Sequence, residues 1–226
     1  MAKIRTLTQL QTALDAEMSW RIKEISNFKV AIKAQSPSSR TFVRAGIALV
    51  YAHWEGFIKA SSEGYINFVD NQGHLYKELR TCFAVFGLKG RLALLRDSRK
   101  AAPNIEALEF VIAEMEKPTK LVLSSAIDTE SNLTSSVFAN IATSLGISVT
   151  PYETKFKLID ESLVQRRNKV AHGEYLDIDA AEFVALADDV VSMMRGYKTD
   201  IQNAATLSEY KRTQPPAGAQ GAPVLA

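Results

Sequence analysis

The sequence predicts an all-α protein, long helices followed by a tail without regular structure. Three observations predict it. Apolar residues recur at intervals of three, four and seven over most of the chain. Capping residues stand where those stripes begin or end, among them Ser39, Gly146, Gly173 and the pair Asp179 and Glu182. Only residues 121–123 read as a strand, and one strand cannot form a sheet.

Residues 7–32 form the first expected helix, with Leu7, Leu10, Leu14, Met18, Ile22, Ile25 and Ile32 as a narrow apolar stripe. Ser36, Pro37, Ser38 and Ser39 make a turn. A second long helix follows over residues 39–70, with Phe42, Val43, Ile47, Val50, Trp54, Phe57 and Ile58 facing inward. Gly46, Gly56 and Gly64 either weaken it, by roughly 1 kcal/mol each, or admit a closely packed neighbour. Trp54 reads as a core residue, and His53 and Glu55 as partly exposed flanks.

Asn71, Gln72 and Gly73 end this helix, and residues 75–86 and 88–98 look helical with a break near Gly87. Lys89, Arg91, Arg96, Arg99 and Lys100 form a basic run that either complements a helix C-terminus or touches an RNA backbone. Residues 105–116 read as a short helix closed by Pro118, and residues 121–132 as an irregular connection. Asn132 is the expected cap of a helix over residues 134–145, which Gly146 ends. After a turn around Pro151, residues 156–172 form one helix, stopped by Gly173. Asp179 and Glu182 form a capping box, and Ile178 and Phe183 have the spacing of a hydrophobic staple. The last helix runs to about residue 197, with an extension toward 210 allowed.

There is no internal repeat and no shift of composition, so residues 1–212 read as a single helical domain. Residues 213–226, TQPPAGAQGAPVLA, have the composition of a disordered tail. A net charge of +2 means that any nucleic-acid contact must come from a local patch. The longest apolar run, residues 45–52, is too short to span a bilayer. The first ten residues lack the apolar region of a signal peptide, and Cys82 is the only cysteine. A reducing cytoplasm is the expected compartment, with Cys82 a core residue.

Residues 163–175, LVQRRNKVAHGEY, stand out. Arg166, Arg167, Asn168, Lys169 and His172 fall within about two helical turns, with no acid from Arg166 to Gly173. Asn168 and His172 are four apart and share a face, while Leu163, Val164, Val170 and Ala171 look buried. Such a cluster can receive an anion and places an imidazole beside it. A surface histidine with basic neighbours is the plainer reading. The three histidines, His53, His74 and His172, lack zinc-site spacing, so neither a metal nor a cofactor is expected. No phosphate-binding glycine loop, nucleophile elbow or obvious helix-turn-helix is visible.

One reaction fits arginine, asparagine and histidine without a metal. RNA carries a 2′-hydroxyl beside each phosphodiester. A base removes its proton, an acid protonates the departing 5′-oxygen, and a cation stabilises the crowded phosphorane. Histidine can move protons near neutral pH, and arginine grips two phosphate oxygens in its planar fork. Acid and base should act together, and a two-fold dimer would bring two copies of His172 and Arg167 to one site.

The string Arg167-Asn168-Lys169-Val170-Ala171-His172-Gly173 resembles the signature of the HEPN superfamily: arginine, a polar residue, a short spacer, then histidine. Arg166 before it and Glu174 after it are similar to the bacterial stand-alone and RNase-linked branches. So are Tyr51-Ala52-His53-Trp54-Glu55-Gly56-Phe57 on an early long helix, and Ser131-Asn132-Leu133 with Gly146 ahead of the motif helix. The resemblance covers roughly residues 40–195. It implies an up-and-down helical bundle, a homodimer and metal-independent RNA cleavage leaving a 2′,3′-cyclic phosphate. It further implies a role as a toxin or phage-defence effector, restrained by an antitoxin or another defence-system partner. Arg167 would contact the phosphate, Asn168 would orient, and His172 would act as acid or base. Arg166, Lys169, Glu55 and His53 are the expected substrate-binding residues around them. The same resemblance also covers non-catalytic helical modules that bind RNA, a nucleotide or a protein.

Overall fold

The computed structural model describes residues 3–33, 39–121 and 127–213. Among the described residues, seven α-helices carry the fold: α1 (Leu7–Lys33), α2 (Ser39–Asp70), α3 (Thr81–Asp97), α4 (Ala101–Glu114), α5 (Ser135–Ser144), α6 (Arg166–Ala171) and α7 (Ala180–Thr206). Short 3₁₀ segments at Tyr76–Glu78 and Thr150–Lys155 and a π-helical segment at Leu158–Gln165 join them. Among the described residues, extended pairing is limited to two isolated bridges, Leu75 with Pro118 and Leu79 with Lys211. The all-α expectation holds. The expected turn at Ser36 to Ser38 and residues 214–226 of the tail lie outside the described residues.

Side-chain pairs set the helix directions. Ile4 N–H donates to Asn67 Oδ1, and His53 sits beside Glu24, so α1 and α2 run antiparallel. Lys198 pairs with Asp15 and Lys29 with Asp188, so α7 also opposes α1. Tyr152 donates to Asp200, Lys155 pairs with Asp189 and Arg166 with Glu182, so the segment 150–171 opposes α7. In chain order α1, α2, the π/α6 segment and α7 alternate in direction, which makes an up-and-down bundle. The helices α3, α4 and α5 are added between its second and third members. The motif helix therefore ends at the same end of the bundle where α7 begins.

Trp54, Phe57, Tyr65, Phe138, Phe183 and Tyr197 are fully buried in the core. At Gly46 an added Cβ would lie 2.7 Å from the Phe183 ring, so α7 approaches α2 through the missing side chain. The expected staple forms, with Ile178 and Phe183 both buried, and the Asp179–Glu182 capping box is present on both sides. Phe42, expected inside, is exposed.

The helix α4 begins at Ala101, ahead of its expected start at residue 105, and three further boundaries differ from the expectation. The helix α3 runs unbroken through Gly87, and the interruption falls at Leu79 and Arg80, whose backbones are extended. Gly87 is needed because the Tyr76 ring lies on it, with its hydroxyl in the space a Cβ would fill. The cap of α5 is Thr134, whose hydroxyl accepts from Val137 N–H, in place of Asn132. The helix expected over residues 156–172 is π-helical for eight residues before it becomes α6. A period of 3.6 read from sequence misses that change, because the π form shifts every later side chain around the axis.

Candidate functional site

The motif helix is held from three directions. Ile159, Leu163 and Val164 bury its inner face. Asp160 accepts from both the backbone N–H and the hydroxyl of Ser135, at 2.8 and 2.6 Å, tying the π segment to the start of α5. Arg166 reaches Glu182 of α7 at 3.6 Å. The local string has no acid, but the bundle supplies one to its first arginine. Val170 is half-buried and Ala171 exposed, so the buried face stops short of the helix end.

Arg167 turns to α2. Its guanidinium carbon lies 4.0 Å from the centre of the Tyr51 ring, a cation–π stack. The Tyr51 hydroxyl accepts from Leu133 N–H at 2.8 Å, so the loop before α5 fixes the ring on which Arg167 rests. Burial pushes the Tyr51 phenol above its ordinary range; the hydrogen bonds from Leu133 and Arg167 oppose that shift without cancelling it. The ring is therefore a neutral platform at physiological pH. Two polar atoms nearby are buried without a hydrogen-bond partner, Nε of Arg167 and Oδ1 of Asn132.

His172 is the C-cap of α6 and is exposed. Gly173 follows at φ +74°, with its N–H bonded to Val170 O and Glu174 N–H bonded to Lys169 O. This paired closure is a Schellman motif, and its left-handed residue is the one glycine tolerates without strain. It leaves Lys169 and His172 on open surface at the tip of the helix. Asn168 is half-buried one turn before His172, and its carbonyl accepts from His172 N–H.

The two residues expected from α2 part company. Glu55 is four positions after Tyr51, on the same face, half-buried, and its charge is felt by the Tyr51 phenol. It forms no ion pair among the described residues. His53 is two positions from Tyr51, about 200° around the helix, and faces α1. There it is 3% exposed, 5.1 Å from the Trp20 ring and 3.0 Å from Glu24. His53 is a buried packing residue between α1 and α2 and does not join Arg167 and His172; the side chain expected to be partly exposed is inside.

The structure thus sets Arg167 on Tyr51 with Glu55 one turn further along α2, places Asn168 one turn before the exposed His172, leaves Lys169 exposed and commits Arg166 to Glu182. Sequence reasoning misses Tyr51 and Asp160 as supporting residues. Tyr51 has two sequence signals, its i, i+4 spacing from Glu55 and its place in the aromatic-plus-Glu string; the role of Asp160 has none, since Ser135 lies 25 positions away. Among the described residues, no group of three or more His, Cys, Asp or Glu side chains is placed to hold a metal ion. No helix among them is long and apolar enough to cross a membrane.

No curated protein and no solved structure matches the chain. The family described as RiboL-PSP-HEPN matches residues 16–203, a span that takes in α2 with Tyr51 and Glu55, the π segment, the motif helix and most of α7. The chain belongs to that family, within the HEPN superfamily.

Proposed function

We propose that this protein is a metal-independent endoribonuclease whose active site is assembled from two copies of the motif helix across a two-fold axis. The observation that carries this reading is the Arg167–Tyr51 stack on a helix that ends, five residues later, in an exposed imidazole. A guanidinium held on a neutral ring is oriented before substrate arrives, which is what stabilising a phosphorane requires. The exposed His172 at a helix tip can meet its counterpart from a second copy, supplying acid and base together.

In this mechanism one imidazole takes the proton of the 2′-hydroxyl. The 2′-oxygen forms a bond to phosphorus, and the bond from phosphorus to the 5′-oxygen breaks. The second imidazole gives its proton to that oxygen. The products are a 2′,3′-cyclic phosphate and a 5′-hydroxyl. Arg167 holds the non-bridging oxygens, Asn168 orients, Lys169 attracts the strand, and Glu55 borders the phosphate position. Arg166, paired with Glu182, fixes the helix against α7. A toxin or defence effector restrained by a protein partner, acting in the cytoplasm, is the biological setting this chemistry suits.

The test is cleavage of an RNA pool by purified protein in EDTA. His172→Ala and Arg167→Ala should each lower the rate by about 100-fold or more while the circular dichroism of the helices persists. Cleavage that needs added metal, or that survives in the His172 variant, would sink the proposal. Binding of RNA with no cleavage at all would establish instead a non-catalytic module.

A further inference from the structure

At the other end of the bundle the chain closes with a short extended segment. Arg80 N–H donates to Tyr210 O and Arg212 N–H to Glu78 O, both at 2.8 Å, with Leu79 and Lys211 bridged between them. This pairing joins residues 130 or more positions apart and lays two arginines along one groove. Arg80, Thr81, Cys82, Thr143, Arg212 and Thr213 line a space of about 310 Å³. Arg212 also lines an adjoining space of about 480 Å³ with His74, Lys77, Glu78 and Lys211.

Lys77, Arg80, Lys211 and Arg212 line the two spaces against one lining carboxylate, Glu78. His74 lies beside Glu78, and Lys77 pairs with Glu116. No carboxylate of the described residues lies within ion-pairing distance of Arg80, Lys211 or Arg212. Arg80 is nonetheless fixed, since one of its terminal nitrogens donates to Gly146 O at 3.0 Å. Residues 214–226 contain no Asp or Glu. The hydroxyls of Thr81, Thr143 and Thr213 add further donors to the lining.

The groove is open, and Arg80, Lys211 and Arg212 are exposed along it. A small ligand is normally enclosed over most of its surface, which this groove cannot do. A polyanion passing across it needs only a row of cations. We propose that the Arg80–Lys211–Arg212 groove is a second RNA-contacting surface, gripping the phosphates of a single strand at the end of the bundle away from His172. The inference rests on the reading that the substrate is RNA. The α7 helix, 27 residues long, separates the two ends by roughly 40 Å. The groove therefore favours long strands over short ones and contributes no group to cleavage.

The test uses the full chain and a 2′-O-methyl oligouridylate of about 20 nucleotides, which cannot react through its 2′-oxygen. Binding is followed by fluorescence anisotropy over a range of salt. The double substitution Lys211→Gln with Arg212→Gln should weaken binding several-fold and flatten the log–log salt slope by about 0.7 for each phosphate no longer neutralised. Arg80 is left in place because it also closes α5, and matching thermal unfolding confirms that the variant folds. Unchanged affinity and slope would overturn the proposal. So would Arg212-dependent binding of polyglutamate without Arg212-dependent binding of the oligonucleotide, which would assign the groove to an acidic protein segment. If unmodified RNA is not cut but the oligonucleotide still needs Arg212, the groove stands and the ribonuclease reading falls.

Discussion

Arg167 lies over the ring of Tyr51, the guanidinium carbon 4.0 Å from the ring centre, although 116 residues separate them in the chain. The same ring is anchored at its far end by Leu133 N–H. One tyrosine thus connects α2, the loop before α5 and the motif helix.

This connection separates two substitutions. Tyr51→Phe keeps the stack but leaves Leu133 N–H without its acceptor, a loss of about 1–3 kcal/mol. Tyr51→Leu loses that acceptor and also the stack, a further ~1 kcal/mol. The Phe variant should keep most RNA cleavage, and the Leu variant should fall by about ten-fold as Arg167 loses its orientation. Urea unfolding together with cleavage rates reads both effects; equal cleavage by the two variants would mean that the ring does not position Arg167.

Gly173→Ala should cost about 1 kcal/mol, because φ +74° is left-handed and an alanine there is strained. Nothing lies within 4 Å of the added Cβ, so the cost is conformational and not steric. Asn at the same position should recover part of it, since Asn visits this region more readily. Chemical denaturation of the three proteins orders them.

Gly87→Ala tests the packing of Tyr76 on α3. On helix propensity alone, alanine at this interior helical position would stabilise by roughly 1 kcal/mol. In the structure the new methyl would collide with the Tyr76 hydroxyl, which donates to Lys120 O and accepts from Lys120 N–H at 3.0 and 3.1 Å. The expected outcome is destabilisation of about 2 kcal/mol, as overpacking and loss of those bonds combine. The sign of the change in melting temperature decides.

His53 makes stability depend on pH. Burial lowers its pKa below the usual 6.5; Glu24 raises it and Arg21 lowers it, and the net direction is down. The unfolded chain therefore takes up this proton first as pH falls. Stability is full above about pH 6.5 and declines as pH drops from there toward the lower folded value. His53→Gln should flatten that part of the stability profile, measured as urea midpoints at several pH values. A profile as steep as that of the wild type would show that other groups dominate.

The elements with strong local causes were legible in the chain. The span of α2 follows from its apolar stripe, and the start of α7 from Asp179, Glu182, Ile178 and Phe183, all within five positions. Asn168 and His172 are four apart, so their shared face needs only a helix. The side of α2 that faces them was less so. His53 and Glu55 are equivalent on paper, and only the packing of α1 on one face and the motif helix on the other tells them apart.

By itself the sequence determined the helical class, the caps and the cationic string, because periodicity and capping act over a few residues. Tertiary structure alone decided that Tyr51 carries Arg167, that Asp160 holds α5, that Glu182 takes Arg166, and that Arg80 and Arg212 share a groove. Each of these joins residues far apart in the chain, and such pairings arise only when buried side chains fix how the helices lie together.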